Sequence, residues 1–557
     1  MSRVERTARH ARGSNAPRRA FGWRGGLAVA SAVALMGLAA CGAPKGAISD
    51  WELTQTTEKP AGDIDQVTWA VYAEPFSLDY AYAFDYPDNQ VLSNVCESLL
   101  RWEPDLSLGP GLAESWDNPD PKTWVYHLRD GVKFHDGSTM TADDAVASMK
   151  RHLDPAVGSF WYASYANVDS IEATGDLEVT VKLNKPDAMF NQAMGNVSGV
   201  VESAKTLKEK GKDYGNSKGG VNCTGPFEFD KWTSGDSIHL KRFDDYWDKD
   251  LAAKSQDFTF QFMPDANARI NALKSGEVDG SWMVPAEAVP QLRAGTGGDV
   301  YFGKNATVTA MVASDLSGPL GDPKVRQAAM MALDREGILK AGAGGYGTLA
   351  DSTVATSLWE NSSKSVQQQV KTDVTSYPHD VEQAKKLIDD AGVKGQEVVI
   401  ATAPLGNDAT VSSQATAAAL KEIGLKPKIK TMTVNAYTTL FSDPSARKGV
   451  DLFFTQWYNS SPDPLELLSV MREGEFSNYG NWSDPEFDKV VNKALATQDD
   501  DERAALSAEA AGIMSEQVPW LPYYEPPTMV YLSDRVTGLS PSINFMYYPW
   551  AATLGAR

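Results

Sequence analysis

Cysteine and histidine are both scarce in this chain of 557 residues. There are three Cys, at positions 41, 96 and 223, and six His. Beyond the N-terminal segment the histidines are His127, His135, His152, His239 and His379, and none falls in H-E-x-x-H or another compact metal-binding spacing. No metal site and no cofactor are expected. Long apolar runs are equally few. The one candidate, Leu27 to Ala40, is too short for a comfortable membrane span. Positive charge is in deficit: the net charge is -21, and the first forty residues hold seven Arg and one Glu, so the remainder stands near -27. A surface this acidic argues against nucleic acid and anionic lipid as direct partners and says nothing about fold. There is no internal repeat. Catalytic patterns are nearly absent too. Gly215-Asn216-Ser217-Lys218-Gly219 fits G-x-S-x-G, but that motif needs a strand before it and a helix after it, and these flanks are loop. No nucleophile–base pair stands out, so no catalytic residue is assigned.

What is present starts at the N-terminus. A basic region to Arg24 precedes the apolar run, which ends Leu38-Ala39-Ala40-Cys41-Gly42. This is a lipobox, and it predicts a signal peptide over 1–40 and a lipid on Cys41. Arg18-Arg19-Ala20-Phe21 leaves both the twin-arginine and the general secretory route open. Residues 41–63 are polar and rich in Gly, Ala, Pro, Thr and Glu, and predict a flexible tether. With Cys41 lipidated, Cys96 and Cys223 remain; export to an oxidising space predicts a disulfide between them, the alternative being two buried thiols. The length and the 42% hydrophobic content allow a large core and two to four domains.

The most informative stretch is Gly111 to Arg151. Trp124, Tyr126 and Leu128 alternate with Val125, His127 and Arg129, the period of a half-buried strand. Arg129-Asp130-Gly131 turns the chain, and Val132 to Phe134 predicts a second short strand. Thr141 is a suitable N-cap for a helix from Ala142 to about Leu153, with Asp143 and Asp144 in the first turn. Further on, Val67–Val71 predicts a strand, 91–100 a helix, 171–183 a hairpin, and 268–276 a helix closed by Gly276. From Val381 the order is helix, strand 398–401, helix 412–423, strand 428–432, then a helix and strand 451–456. Helix and strand alternating at this spacing imply parallel strands with right-handed crossovers.

The strand, turn, strand, turn and capped helix of 111–151 resemble the extracytoplasmic solute-binding proteins of family 5, the peptide, dipeptide and nickel receptors of ABC importers. Glu74 to Asp79, Thr224-Gly225-Pro226-Phe227, Ala268 to Asp279, Asp322 to Ile338, Ser483 to Ala494 and Val518 to Pro522 resemble other segments of the family, so the likeness covers nearly all of the chain after the tether. It implies an α/β class II periplasmic-binding-protein fold: two mixed lobes with a two-strand hinge, plus the extra domain of the peptide-receptor branch. The domains expected are lobe I over 64–93, 222–302 and 515–557, the extra domain over 94–221, and the other lobe over 303–514. The implied function is an ABC-importer receptor on the outer face of the cell membrane, a monomer attached through its lipid alone, which closes on an oligopeptide or dipeptide and presents it to the permease. The nickel branch is the weaker implication, because the histidines form no cluster.

The resemblance also points to binding residues. Glu74 and Phe76 lie in the loop that runs along the family's cleft, and Trp282 follows the Gly276–Asp279 segment. Trp457, Tyr458, Asn459, Ser460 and Asp463 follow a predicted parallel strand, and ligands in open α/β sheets sit beyond the carboxyl ends of strands. In the family, the W-x-x-D-x-x-D-P segment supplies an Asp to the amino group of a peptide. Here Ser460 occupies that place, which argues for a ligand without a free amine, such as an oligosaccharide or another neutral solute, unless Asp463 or Glu74 compensates. Two other classes stay open: a secreted hydrolase, and an adhesin or chaperone that binds protein segments without closing.

Overall fold

The computed structural model describes residues 51–557; the expected signal segment and the lipobox with Cys41 lie outside the described residues. Three sheets organise the chain. The first has seven strands in the order Gly298–Gly303, Thr528–Ser533, Gly280–Trp282, Ile64–Val71, Ser255–Phe262, Ser237–Arg242 and Phe227–Thr233. Its first strand in sequence, Ile64–Val71, runs parallel to both Ser255–Phe262 and Gly280–Trp282. The second has six strands in the order Thr348–Leu349, Trp520–Glu525, Thr307–Ala313, Leu452–Tyr458, Glu397–Thr402 and Lys426–Thr431. The expected parallel pairing is present: Glu397–Thr402 is parallel to both Lys426–Thr431 and Leu452–Tyr458. The third, four-stranded and antiparallel, is Ala113–Asp120, Thr123–Leu128, Glu178–Leu183 and Val168–Gly175.

Residue choice explains where each strand sits. Every residue of Thr307–Ala313 is buried, as a central strand covered on both faces requires. Lys426–Thr431 reads Lys-Pro-Lys-Ile-Lys-Thr at the sheet edge, where lysines and a proline discourage further pairing. The capped helix forms over Ala142–Arg151, with the Thr141–Asp144 capping box in place. Its Ala145, Val146 and Met149 share one core with Tyr126 and Leu128 of the third sheet. The turns at 276 and 392 end their helices with left-handed glycines, at φ 74 and 68.

Several expectations change. The helix over 91–100 is instead Tyr86–Leu92, capped by Asp85. Beyond it the carbonyls of Asn94 and Val95 accept the N–H groups of Phe227 and Gly225, so they serve a tertiary pairing rather than a helix. A Cβ on Gly225 would lie 2.5 Å from the Val95 carbonyl oxygen, and only glycine allows this approach. The same juncture holds the Cys96–Cys223 disulfide, with Cα atoms 4.9 Å apart. Val132–Phe134 makes no strand, only a bridge between Lys133 and Thr139. Residues 51–63 do not hang free: Trp51 packs on Phe302, Thr57 is buried against Leu539, and Gly62 bridges Ala556. Finally, Trp520–Glu525 pairs with Thr307–Ala313 in the second sheet, so the last segment assigned to lobe I joins it after Glu525 rather than at 515. An unbroken buried run such as this one carries no mark of which sheet it enters.

The chain therefore passes between the two large sheets at two nearby places. One lies between Gly303 and Thr307, the other between Glu525 and Thr528, where Pro526 and Pro527 restrict the backbone. Both crossings are fastened. The Thr528 hydroxyl donates to the Lys304 carbonyl at 2.8 Å, and the Asn459 N–H donates to the Ala306 carbonyl at 3.0 Å. These two crossings form the two-strand connection expected between two α/β lobes.

Candidate functional site

A cavity of about 330 Å³ lies against this hinge. Asn305, Pro526, Pro527 and Thr528 form its back. The first lobe contributes Tyr86, Met529, Ile543 and the segment Met283 to Glu287, which leaves the end of strand Gly280–Trp282. Met283 stands at φ 57, a left-handed conformation rare for a long side chain, and its N–H donates to the Met529 carbonyl at 3.0 Å. The second lobe contributes Thr307, Tyr524, Gln456 and the turn Leu405 to Asp408. That turn leaves the carboxyl end of parallel strand Glu397–Thr402 and opens helix Asn407–Glu422, so the cavity occupies the position expected of a ligand site in an α/β sheet.

Asp408 is the charged group at the centre of this arrangement. It sits in the first turn of its helix, where the dipole favours an anion. One carboxylate oxygen accepts the Ala409 N–H at 2.8 Å, and the other accepts the Gln456 side-chain amide at 2.6 Å. Burial raises its pKa above the usual carboxylate range, and neighbouring Glu287 raises it further. Nearby in the first lobe, burial lifts the pKa of Asp85, and pushes that of Asp88 up to about 7 although Asp88 accepts the N–H groups of Phe76 and Ser77.

The residues singled out from the sequence are spread around this cavity rather than gathered in it. Strand alternation separates the aromatic pair. Gln456 and Tyr458 point to one face of Leu452–Tyr458 and Trp457 to the other. Trp457 packs edge-on against Trp520, ring centroids 5.4 Å apart, among core residues. Tyr458 crosses between the lobes: its hydroxyl donates to the Phe84 carbonyl at 2.8 Å, and its ring lies 5.5 Å from that of Tyr86. Trp282 is buried and stacks on Phe545 at 4.5 Å. Phe76 is exposed. The Glu74 carboxylate accepts from the Trp232 indole N–H, the Ser234 hydroxyl and the Gly235 N–H, fixing a hairpin turn of the first sheet. None of Glu74, Phe76, Trp282, Trp457 and Tyr458 lines the 330 Å³ cavity.

Asn459, Ser460 and Asp463 form a separate, internally satisfied unit. The Asn459 amide donates to the Asp463 carbonyl at 3.0 Å. Asp463 is paired with Arg503 at 2.8 Å, both side chains almost wholly buried. The Ser460 hydroxyl and N–H both donate to Glu466, which also accepts the Ser461 N–H at 2.6 Å. Burial pushes the Glu466 pKa up to about 7. Pro462, Asp463 and Pro464 do line a second cavity, of about 600 Å³, between the third-sheet domain and the second lobe. Sequence reasoning missed Asp408, Glu287, Met283 and Glu466. For Asp408 a signal existed: it follows a Gly in the turn after a predicted parallel strand.

Comparison with known proteins agrees with this architecture. The family model for bacterial extracellular solute-binding proteins, family 5 Middle, matches residues 107–479. The glutathione-binding protein GsiB of Escherichia coli O1:K1 / APEC is 25% identical over 492 residues, covering 86% of this chain and 93% of its own. The periplasmic binding protein DppA of Helicobacter pylori, solved with the peptide STSA, superposes with a TM-score of 0.74 at 22% identity, covering 89% of this chain and 98% of its own. AgaA from A. tumefaciens R10, solved with agropinic acid, gives 0.73 at 23% identity over 88% and 99%. The chain belongs to the bacterial extracellular solute-binding proteins of family 5, the solute receptors of ABC importers.

Proposed function

We propose that this receptor binds a small solute of the peptide class in the hinge-side cavity, closes its two lobes around it, and hands it to the permease as a lipid-anchored monomer outside the cell membrane. The cavity carries this reading, because it draws its walls from both lobes and its back from both hinge crossings. Closure there changes the contacts of a bound solute, and binding can shift the lobes only through such a difference between open and closed states. The peptide class is supported by what similar proteins bind: glutathione for GsiB and the peptide STSA for DppA. No turnover is proposed. The G-x-S-x-G segment lies in a loop whose Gly215 carbonyl accepts the Leu78 N–H, and Ser217 faces solvent.

Mass spectrometry of small molecules released on mild denaturation tests the reading. A stoichiometric peptide-class solute is expected. Chemical turnover of that solute by the purified protein would overturn it. The anchor is tested separately by palmitate incorporation: labelling is expected in the wild type and lost in Cys41→Ala, and equal labelling of the two would remove Cys41 from this role.

A further inference from the structure

We propose that this receptor carries a second solute site, in the cavity of about 600 Å³ between the third-sheet domain and the second lobe, and that the site takes a short neutral saccharide. The proposal goes beyond the receptor reading above and does not depend on which solute the hinge-side cavity holds. The two cavities share no wall residue. This one has the volume usual for a small-molecule site, and it lies at a domain boundary, where such sites concentrate.

The wall groups select the chemistry. From the third sheet come Trp116 and Trp124. Trp116 pairs with Tyr126 across the antiparallel strands, and Trp124 stands two residues before Tyr126, so the two indoles share one face. Helix Ala188–Ala193 adds the buried residues Asn191 and Gln192, and the second lobe adds Gln498. Side-chain amides both donate and accept, as sugar hydroxyls do, and indoles offer flat apolar faces to the C–H side of a sugar ring. The charges nearby favour neither sign of ligand. Arg503 is held by Asp463 at 2.8 Å and by Asp500 at 2.6 Å. An anion would meet the exposed Asp500 and Asp501, and the indole N–H of Trp124, a donor only, offers nothing to a cation.

A second observation points to a ligand. Among the described residues, neither the nitrogen nor the oxygen of the Gln498 side chain has a hydrogen-bond partner, although both atoms are buried. The same holds for the indole N–H of Trp124, a residue 5% exposed. Buried polar groups ordinarily find partners, and each left unmet costs free energy. A ligand with several hydroxyls supplies a donor and an acceptor to the Gln498 amide and an acceptor to Trp124.

Calorimetry on the full-length protein tests the site with maltotriose, cellotriose and N,N′,N″-triacetylchitotriose. At least one of the three is expected to bind without displacing the solute that the purified protein carries. Preference for the acetylated sugar would identify an envelope glycan as the source, and preference for a glucan a free solute; either supports the site. Gln498→Met keeps the length of the side chain and removes its amide, and should weaken sugar binding about ten-fold. Its urea midpoint should be no lower than that of wild type, because the amide bonds nothing in the fold. Trp124→Phe keeps a ring and removes the N–H, and should weaken binding about five-fold, which guards against a local rearrangement in the first variant. The second site is overturned if none of the three sugars binds, if the bound sugar displaces the carried solute, or if Gln498→Met binds it undiminished or unfolds at markedly lower urea. The receptor reading stands in each of these cases.

Discussion

Two loops leave the carboxyl ends of neighbouring parallel strands in the second sheet, and they hold their acids in opposite ways. The loop after Leu452–Tyr458 neutralises or saturates each carboxylate: Asp463 with Arg503, Glu466 with the amides and hydroxyl of Ser460 and Ser461. The loop after Glu397–Thr402 presents Asp408 to a cavity with no cation on its wall. Both sit where an α/β sheet places its ligand, yet one has become scaffold and the other remains available. Position beyond a strand end makes a residue eligible to bind. Whether its hydrogen-bonding capacity is already used decides if it does.

The largest effect should come from the scaffold acid. Asp463→Ala takes from Arg503 its buried partner and leaves it only the exposed Asp500, at 2.6 Å, which should cost about 3 kcal/mol of stability, the low end for a broken buried pair. Asp408→Ala removes no ion pair and should stay within about 1 kcal/mol. Urea unfolding of the two variants measures the contrast. Equal losses would mean that Asp408 is as structural as Asp463 and would break the comparison.

A smaller effect sharpens it through pH. The Glu466 pKa is raised from 4.5 to about 7 in the folded chain. Folding thus favours the protonated form, and this contribution to stability is fully present below about pH 4.5 and is lost as pH rises through about 7. Glu466→Gln cannot lose a proton. Its melting temperature relative to wild type should therefore climb between pH 4.5 and 7.5, with the change confined to that window. Asp88 and Glu525 titrate near 7 as well, so the difference between variant and wild type, rather than the wild-type slope, carries the information. A constant offset across the range would show that Glu466 is ionised throughout.

Much of the fold was legible because it rests on local signals. Thr141 with Asp144, the alternation over Trp124–Leu128, and the glycines at 276 and 392 each act within a few residues of themselves. The two cysteines left once Cys41 is assigned to the lipid pointed to the Cys96–Cys223 bridge. The unwinding of 93–100 was not legible, because its cause is the pairing of Asn94 and Val95 with a segment over a hundred residues away. The cavity was less legible still. Its wall is assembled from short turns on both lobes, and what distinguishes Asp408 from Asp463 is a partner forty residues further on, Arg503. The aromatic pair illustrates the limit: adjacency in sequence suggested that Trp457 and Tyr458 act together, whereas a strand sends successive side chains to opposite faces.

Tyr458 supplies the smallest and most specific prediction. Its hydroxyl donates to the Phe84 carbonyl of the first lobe, and its ring approaches that of Tyr86, which lines the cavity. Tyr458→Phe keeps the ring and removes the link, a change worth about 1 kcal/mol. If the link belongs to the closed arrangement, that arrangement becomes about five-fold less populated relative to the open one, and the apparent affinity for the co-purifying solute falls by the same factor while the unfolding midpoint scarcely moves. Trp457→Phe should do the reverse, lowering the midpoint through lost packing against Trp520 and leaving affinity nearly unchanged. Calorimetry and urea melts on the same two preparations separate these outcomes. Should Trp457→Phe weaken binding more than Tyr458→Phe, the division of this strand into a cavity face and a core face does not describe how the receptor holds its solute.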